Sequence, residues 1–369
     1  MDIDRVEQLI RPGLTTMRGY DPVEPIDVLE RELGRRIVKL DGNENPYLSS
    51  PRARDVLARF PYYHIYPDPL QRNLREALSA YTGFPGEMLV SGNGSDELID
   101  LALRLFVREG DEVLNAPPTF GMYPFLVTVA AGKLVNVPRK SDFSLDIEAV
   151  VKAVTPRTRV MFLASPNNPT GDVVTTDEVR RLLALNIVVV VDEAYYEFAD
   201  STVAPLVRDN PNLIVLRTFS KWAGLAGLRV GYCLCHERLA GHMLTIKQPY
   251  NVNVAGEAAA IASLQDVDYL LGNVEKLKQE RDRMVARLAA IPWMRPHPSQ
   301  ANFVLCHVQE KGQYGQTTAR RLRDGLRSRG ILVRFYESEG LKDCLRISAG
   351  LPQDTDFLLQ ALEEVWNEL

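Results

Sequence analysis

Four short segments of the chain combine residue types that could do chemistry, and each follows an apolar run. Lys221 stands in Thr218-Phe219-Ser220-Lys221-Trp222, just past Leu213–Arg217, and Gly224-Leu225-Ala226-Gly227-Leu228-Arg229 comes next. A lysine in such an apolar, Gly-rich setting has a lowered pKa and suits carbonyl chemistry, although a lysine taken singly serves equally as a solvated loop residue. Asp192 closes the run Ile187-Val188-Val189-Val190-Val191 and leads into Glu193-Ala194-Tyr195. A carboxylate at the end of a fully apolar strand needs a partner, because an unpaired buried charge is costly. Ser91-Gly92-Asn93-Gly94-Ser95-Asp96-Glu97 opens a helical pattern, so backbone N–H groups and the positive end of a helix dipole point at one spot, as a phosphate requires. The same sequence also reads as an ordinary capped turn, and it lacks the Gly-Lys-Ser/Thr ending of a Walker A loop. Ser165-Pro166-Asn167-Asn168-Pro169-Thr170-Gly171 makes a rigid turn that displays side-chain amides, or is a turn and nothing more.

Together the four segments carry more weight than any one of them. A lysine able to form a Schiff base, an aspartate for a pyridinium nitrogen, and a Gly-Ser cradle with an arginine are what pyridoxal 5'-phosphate requires. Lys221 is the expected imine-forming lysine and Asp192 the partner that keeps the ring nitrogen protonated. Gly94, Ser95, Asp96, Ser220 and Arg229 supply N–H donors, hydroxyls and a planar guanidinium for the phosphate dianion.

These residues must be positioned by a larger scaffold. Short apolar runs at Met88–Val90, Glu112–Asn115, Leu134–Val137, Val160–Ala164, Ile187–Val191, Leu213–Arg217 and Leu228–Leu234 read as strands. Stretches such as Asp96–Val107, Asp146–Val154 and Thr176–Leu185 read as the helices between them. Strand–helix alternation predicts an α/β fold with a mostly parallel sheet wrapped by helices, and ligands in such sheets sit outside the carboxyl ends of the strands. Near the N-terminus, Val23, Ile26, Leu29 and Leu33 recur at helical spacing, and Gly34 is a stop signal. A long charged helix is expected from about Asp266 toward Ile291, followed by a second mixed α/β unit. The expected division is an N-terminal arm and small-domain segment at 1–45, a large cofactor-binding domain at 46–266, and a small C-terminal domain at 267–369.

Composition excludes several other classes. The chain has 369 residues, 46% hydrophobic and 25% charged, as in ordinary soluble globular proteins. Its net charge is −5 with no long basic run, which argues against nucleic acid as a partner. The acidic start Met1-Asp2-Ile3-Asp4-Arg5 resembles neither a secretory signal nor a transit peptide, and no apolar run approaches the ~20 residues that span a bilayer. Cys233, Cys235, Cys306 and Cys344 form no disulfide framework and read as reduced core thiols, which points to the cytoplasm. His64, His236, His242, His297 and His307 form no H-x-x-x-H pair, so no metal ligand set is expected and a zinc site would have to be assembled from scattered residues.

The set Asn168-Pro169-Thr170-Gly171, Asp192-Glu193-Ala194-Tyr195, Ser220-Lys221 and Gly227-Leu228-Arg229-Val230-Gly231-Tyr232 resembles the fold-type I aminotransferases. Asp41-Gly42-Asn43-Glu44-Asn45-Pro46, Tyr66-Pro67-Asp68-Pro69, Gly94-Ser95-Asp96-Glu97, Pro118-Thr119-Phe120-Gly121-Met122-Tyr123 and Leu345-Arg346-Ile347-Ser348 resemble, within them, the histidinol-phosphate aminotransferase family. The resemblance runs from about Tyr20 to the C-terminus. It implies a large domain with a sheet between helices and a smaller C-terminal α/β domain. It also implies that Lys221 both bonds the cofactor and moves the proton, that Asp192 meets the pyridine nitrogen, and that Asn168 and Tyr195 hydrogen-bond the ring 3-hydroxyl. Phe120 would stack on the ring, where the family often has Tyr. Tyr66 would reach the phosphate of a neighbouring subunit, which implies a homodimer. Arg346 would grip the acidic group of the substrate, with Arg334 and Tyr20 as further contacts for a substrate phosphate; by sequence alone Arg334 also reads as a surface-strand arginine. Trp222-Ala223 departs from the pair the family leads one to expect after the lysine, which implies local repacking.

The implied reaction is the reversible transamination of L-histidinol phosphate with 2-oxoglutarate, a step of histidine biosynthesis. Two alternatives share the scaffold. An aromatic amino-acid aminotransferase differs by few side chains in its pocket, and a threonine-phosphate decarboxylase breaks Cα–CO₂ instead of Cα–H. A third reading is a non-catalytic module, which would have no chemical need for Lys221, Asp192, Asn168, Tyr195 and Arg229 together.

Overall fold

A computed structural model describes residues 2–20, 22–310 and 313–369. Its strands are β1 (Val38–Leu40), β2 (Leu89–Asn93), β3 (Glu112–Asn115), β4 (Lys133–Asn136), β5 (Thr158–Ala164), β6 (Val188–Asp192), β7 (Leu213–Thr218), β8 (Val230–Cys235), β9 (Met294–Pro296), β10 (Phe303–Glu310), β11 (Gln313–Tyr314), β12 (Ile331–Phe335) and β13 (Cys344–Ser348). Seven of them form the larger sheet in the order β2-β8-β7-β6-β5-β3-β4. The ladders from β7 to β4 are all parallel, and β8 runs antiparallel to both β2 and β7. Val189, Val190 and Val191 are wholly buried, as a strand covered on both faces by helices requires.

The reversal of β8 is what gathers the site. Parallel strands present their carboxyl ends along one edge, and a strand running the other way brings its amino end to that same edge. Asp192 at the end of β6 and Lys221 after β7 therefore lie beside Arg229, which precedes β8. Arg229 is not part of a strand that begins at Leu228, as the apolar run suggested: Leu228 closes a short 3-10 turn and Arg229 is left-handed (φ 53°). Such a conformation costs a non-glycine residue roughly 1–2 kcal/mol and concentrates at functional sites.

The second sheet has the order β1-β12-β13-β10-β11, with β9 also pairing β10. Its first strand comes from the N-terminal segment, through the parallel register Val38↔Ile331 to Leu40↔Val333. The nearby helix runs Ile26–Leu33 and ends at Gly34 (φ 61°). Val23 lies outside it, because Pro25 occupies the N-cap and cannot sit inside a helix. The long helix spans Val267–Ala289. Among the described residues, no helix is long and apolar enough to cross a membrane.

The edge carrying the site is stapled by an ion pair. Glu193, next to Asp192, accepts from Arg217 Nε (3.0 Å) and Nη2 (2.8 Å) and from the Val203 N–H (2.7 Å), and Thr202 Oγ1 lies 2.8 Å away. The Arg217 guanidinium also lies 3.5 Å from the centre of the Tyr196 ring. Both side chains of the pair are almost wholly buried, at 5% and 2% exposure. Removing one partner leaves a buried charge, so Arg217→Met is expected to cost about 3–5 kcal/mol of stability, while Arg217→Met combined with Glu193→Leu costs less. Denaturant unfolding of both variants checks this; a single variant as stable as the parent would refute it.

Candidate active site

A cavity of about 900 Å³ opens where the carboxyl ends of the large sheet face β12 and β13. Of the fourteen expected site residues, Tyr20, Ser95, Asp96, Phe120, Asn168, Asp192, Tyr195, Ser220, Lys221, Arg229, Arg334 and Arg346 line it. Gly94 opens the helix Gly94–Phe106 directly behind the lining. Tyr66 does not reach the cavity: it is 79% exposed and stacks on Tyr250 at 4.5 Å between ring centres.

At the anion end, Asn93 makes no side-chain cap to the helix, so the N–H groups of its first turn point toward the lining. Arg229 Nη2 lies 2.7 Å from Asp96 Oδ2. Gly94 is left-handed (φ 75°), and a Cβ there would stand 2.5 Å from Arg229 Nη2. The backbone thus favours glycine at 94, and any side chain there would displace the Arg229 guanidinium. Thr218 Oγ1 donates to Ser220 Oγ (2.9 Å) and accepts from the Ser220 N–H (3.1 Å), which fixes the serine beside Lys221.

At the other end, Asp192 is buried, and burial pushes its carboxyl up to about 7 against the Tyr123 hydroxyl, which donates to it at 3.0 Å. The Ala194 N–H also donates to it, at 3.1 Å. A carboxyl so placed is well suited to a protonated ring nitrogen and poorly suited to standing alone. Lys221 Nζ donates to the Gly42 carbonyl (3.1 Å) and sits 5.8 Å from the Tyr195 ring centre. Burial first, and the charge of Arg346 second, lower its pKa to about 8. The Tyr195 hydroxyl accepts from Asn43 Nδ2 at 2.9 Å, and burial raises its pKa. An electropositive, N–H-rich end and a raised buried carboxyl, with an amine of lowered pKa between them, fit the donor set that pyridoxal phosphate needs.

Arg334 and Arg346 are register partners across β12 and β13. Arg346 Nη1 donates to Asn168 Oδ1 (2.6 Å), Nη2 to the Asp41 carbonyl, and its buried Nε has no partner among the described residues. Arg334 Nη1 lies 3.5 Å from the Pro22 carbonyl. Tyr20 approaches Phe120 edge-on at 6.5 Å. Trp222 is fully buried and stacks on Tyr81 at 5.5 Å, so its departure from the resembled pattern is met by packing behind Lys221.

Sequence reading assigned no role to Tyr123 or Asn43, although both stand in motifs it singled out. Their partners lie 69 and 152 residues away, and no local pattern announces such contacts.

Residues 35–362 match the family described as aminotransferase class I and II. The chain belongs to this family. It is 48% identical over 366 residues to the histidinol-phosphate aminotransferase of Roseiflexus castenholzii, covering 97% of this chain and 98% of that one. It is 45% identical over 360 residues to the enzyme of that name from Dehalococcoides mccartyi, covering 98% of each. Among solved structures, the histidinol-phosphate aminotransferase of Sinorhizobium meliloti in complex with pyridoxal-5'-phosphate superposes with a TM-score of 0.88 at 30% identity, over 98% of each chain. As an aminotransferase, this chain needs a reactive amine. In the cofactor-free protein, condensation of Lys221 with an aromatic aldehyde is expected to speed up with pH and level off near pH 8, because the amine is protonated below its pKa of about 8 and neutral above it. Stopped-flow absorbance reads the rate; a rate that keeps climbing toward the ordinary lysine value of about 10.4 would show that the amine is not shifted.

Proposed function

We propose that this aminotransferase moves the amino group of L-histidinol phosphate to 2-oxoglutarate, reversibly giving imidazole acetol phosphate and L-glutamate, with pyridoxal 5'-phosphate as its cofactor. The observation that carries the substrate reading is the pair Arg334–Arg346, two cations opposite each other in adjacent strands and both lining the cavity. Two guanidiniums side by side on the cavity wall offer an entering phosphate two sets of charged donors. Histidinol phosphate has no α-carboxylate, so its phosphate is the group that meets this pair, and glutamate offers Arg346 a carboxylate instead.

Pyridoxal phosphate, when bound, supplies a sink for the electron pair left as the substrate Cα–H bond breaks. Gly94, Ser95, Asp96, Ser220 and Arg229 would hold its phosphate, Phe120 its ring face, and Asp192 its ring nitrogen. Asn168 and Tyr195 would hold its 3-hydroxyl, and Lys221 its aldehyde carbon. Tyr123 and the Ala194 N–H fix the Asp192 carboxylate, so that it holds a proton on that nitrogen without rotating. Lys221 Nζ, neutral above pH 8, takes the proton from the substrate Cα and returns it at the other end of the transfer. Asn43 keeps the Tyr195 hydroxyl in place beside it. The strand-end positions of Asp192 and Lys221 limit their motion, and such pre-organisation is a large part of what a proton transfer requires.

The finer reading is a cytoplasmic homodimer in which Tyr66 contacts the phosphate held by a neighbouring subunit. Its support is the exposed aromatic face of Tyr62, Tyr63 and Tyr66 beside Ile65, since a large apolar patch marks an interaction surface, and the four buried thiols, which suit a reducing compartment. The same reading divides the chain into an arm and small-domain segment at 1–45, a large domain at 46–266 and a small domain at 267–369.

A single half-reaction followed by absorption tests the assignment. The cofactor-loaded protein is mixed separately with histidinol phosphate, phenylalanine and threonine phosphate. Rapid conversion to the pyridoxamine form by histidinol phosphate alone is expected; equal or faster conversion by phenylalanine would move the reading to an aromatic aminotransferase. Arg334→Ala is expected to raise the KM for histidinol phosphate about ten- to a hundredfold, the 1.5–3 kcal/mol of a charged hydrogen bond, and to change the glutamate KM far less. Equal losses on both substrates would make Arg334 a structural residue.

A further inference from the structure

A second cluster of reactive side chains lies on the smaller sheet, outside the cavity lining. His307 of β10 and Cys344 of β13 are register partners in an antiparallel ladder, so their side chains share one face. Asp343 precedes Cys344. His307 Nδ1 is 2.6 Å from Asp343 Oδ2, and Cys344 Sγ is 3.2 Å from the same Nδ1 and 3.8 Å from Asp343 Oδ1. One nitrogen, one sulfur and one carboxylate oxygen thus lie within 4.8 Å of one another. His297 stands beside them, its ring centre 4.9 Å from that of His307, with its backbone N–H tied to the Leu305 carbonyl at 2.8 Å. Its Nε2 is buried without a hydrogen-bond partner among the described residues.

As a hydrogen-bonded network this arrangement is poor. Carboxylate and thiol both crowd His307 Nδ1, at 2.6 and 3.2 Å, and that one nitrogen cannot hold a proton for both. Meanwhile a buried imidazole nitrogen beside them goes unsatisfied, which itself costs free energy. We propose that His307, Asp343 and Cys344 form a binding site for a divalent cation of the zinc class, with solvent as the fourth ligand. A mixed N, S and O donor set selects zinc over magnesium or calcium, which take oxygen. Metal–ligand bonds of 2.0–2.3 Å set tetrahedron edges of about 3.3–3.8 Å, so the nitrogen–oxygen pair at 2.6 Å must spread by about 0.7 Å and the nitrogen–sulfur pair at 3.2 Å by about 0.4 Å. A neutral imidazole is ready to ligate, and a metal removes a thiol proton on binding. Asp343 and His307 are each 17% exposed, which leaves a route in from solvent.

The site has a structural consequence for the cavity. Leu341, which packs with Phe143 and Cys344, lines the cavity together with Tyr336 and Ser338 of the same β12–β13 connection. A cation held by Asp343 and Cys344 pins the end of that connection, two residues before Arg346. The site stands independently of the substrate assignment.

Holoenzyme washed with a chelator, exposed to zinc and passed through gel filtration tests it. Metal retained per chain is measured by mass spectrometry, and the zinc K-edge spectrum identifies the donors. The expected result is one equivalent of zinc with a sulfur neighbour. Cys344→Ser should remove the sulfur signal and weaken binding at least ten- to a hundredfold, and Asp343→Asn, at a partly exposed position, should weaken binding with its fold unperturbed. No retained zinc, a spectrum without sulfur, or equal retention by both variants would overturn the proposal.

Discussion

The buried pair Glu193–Arg217 is the constraint on which the site depends. It joins the residue after Asp192 to the strand that delivers Lys221, and it does so where both strands end and ladder hydrogen bonds run out. Two charges taken out of water are an expensive way to hold a pair of strands, and apolar residues of similar volume often do as well for stability alone. What an apolar contact lacks is direction. The guanidinium fork accepts one placement against a carboxylate that is also held by the Val203 N–H and Thr202, so the two strand ends have one relative position. Asp192 and Lys221 inherit that position.

The smaller sheet is attached to this edge by polar contacts of the same kind. Asn43, left-handed at φ 53°, receives Ser348 Oγ at its side-chain oxygen (2.8 Å) and Asn302 Nδ2 at its carbonyl (3.0 Å), while its own amide donates to Tyr195. Arg346 bridges in parallel, from β13 to Asn168 and to the Asp41 carbonyl. Asparagine tolerates the left-handed region better than any larger side chain, so one residue satisfies backbone, small sheet and large sheet at once. An interface made of directional bonds holds its geometry without filling the space between the sheets. The cavity survives for that reason.

Much of this was legible in the sequence because the chemistry sits at strand ends. Apolar runs ending in Asp192 and in Ser220-Lys221 announce both a strand and what it presents, and the strands at Glu112–Asn115 and Leu213–Thr218 fall where their apolar residues put them. Arg229 was harder, since an apolar run hides a left-handed residue that only tertiary packing enforces. Tyr123 and Asn43 were not assigned because a hydrogen bond to a residue far along the chain leaves no local periodicity. The His307–Cys344 pairing is invisible for the same reason: residues 37 apart meet only through the antiparallel register of β10 and β13. Spacing rules find ligands that share a helix or a turn, and this cluster shares neither.

Burial acts on the two titrating groups of the cavity in opposite directions, and that opposition is useful. It raises the Asp192 carboxyl to about 7 and lowers the Lys221 amine to about 8, so each group loses part of its charge near neutral pH. A buried carboxyl of raised proton affinity gains most from a cationic partner, which restores its charge, while an amine of lowered affinity is available as a base. The surrounding arginines then set the sign of what enters. Arg229, Arg334 and Arg346 put three guanidiniums on the cavity wall that Lys221 shares. The same apolar packing that builds the sheet thus shifts both groups, and it does so in the cavity that the three arginines line.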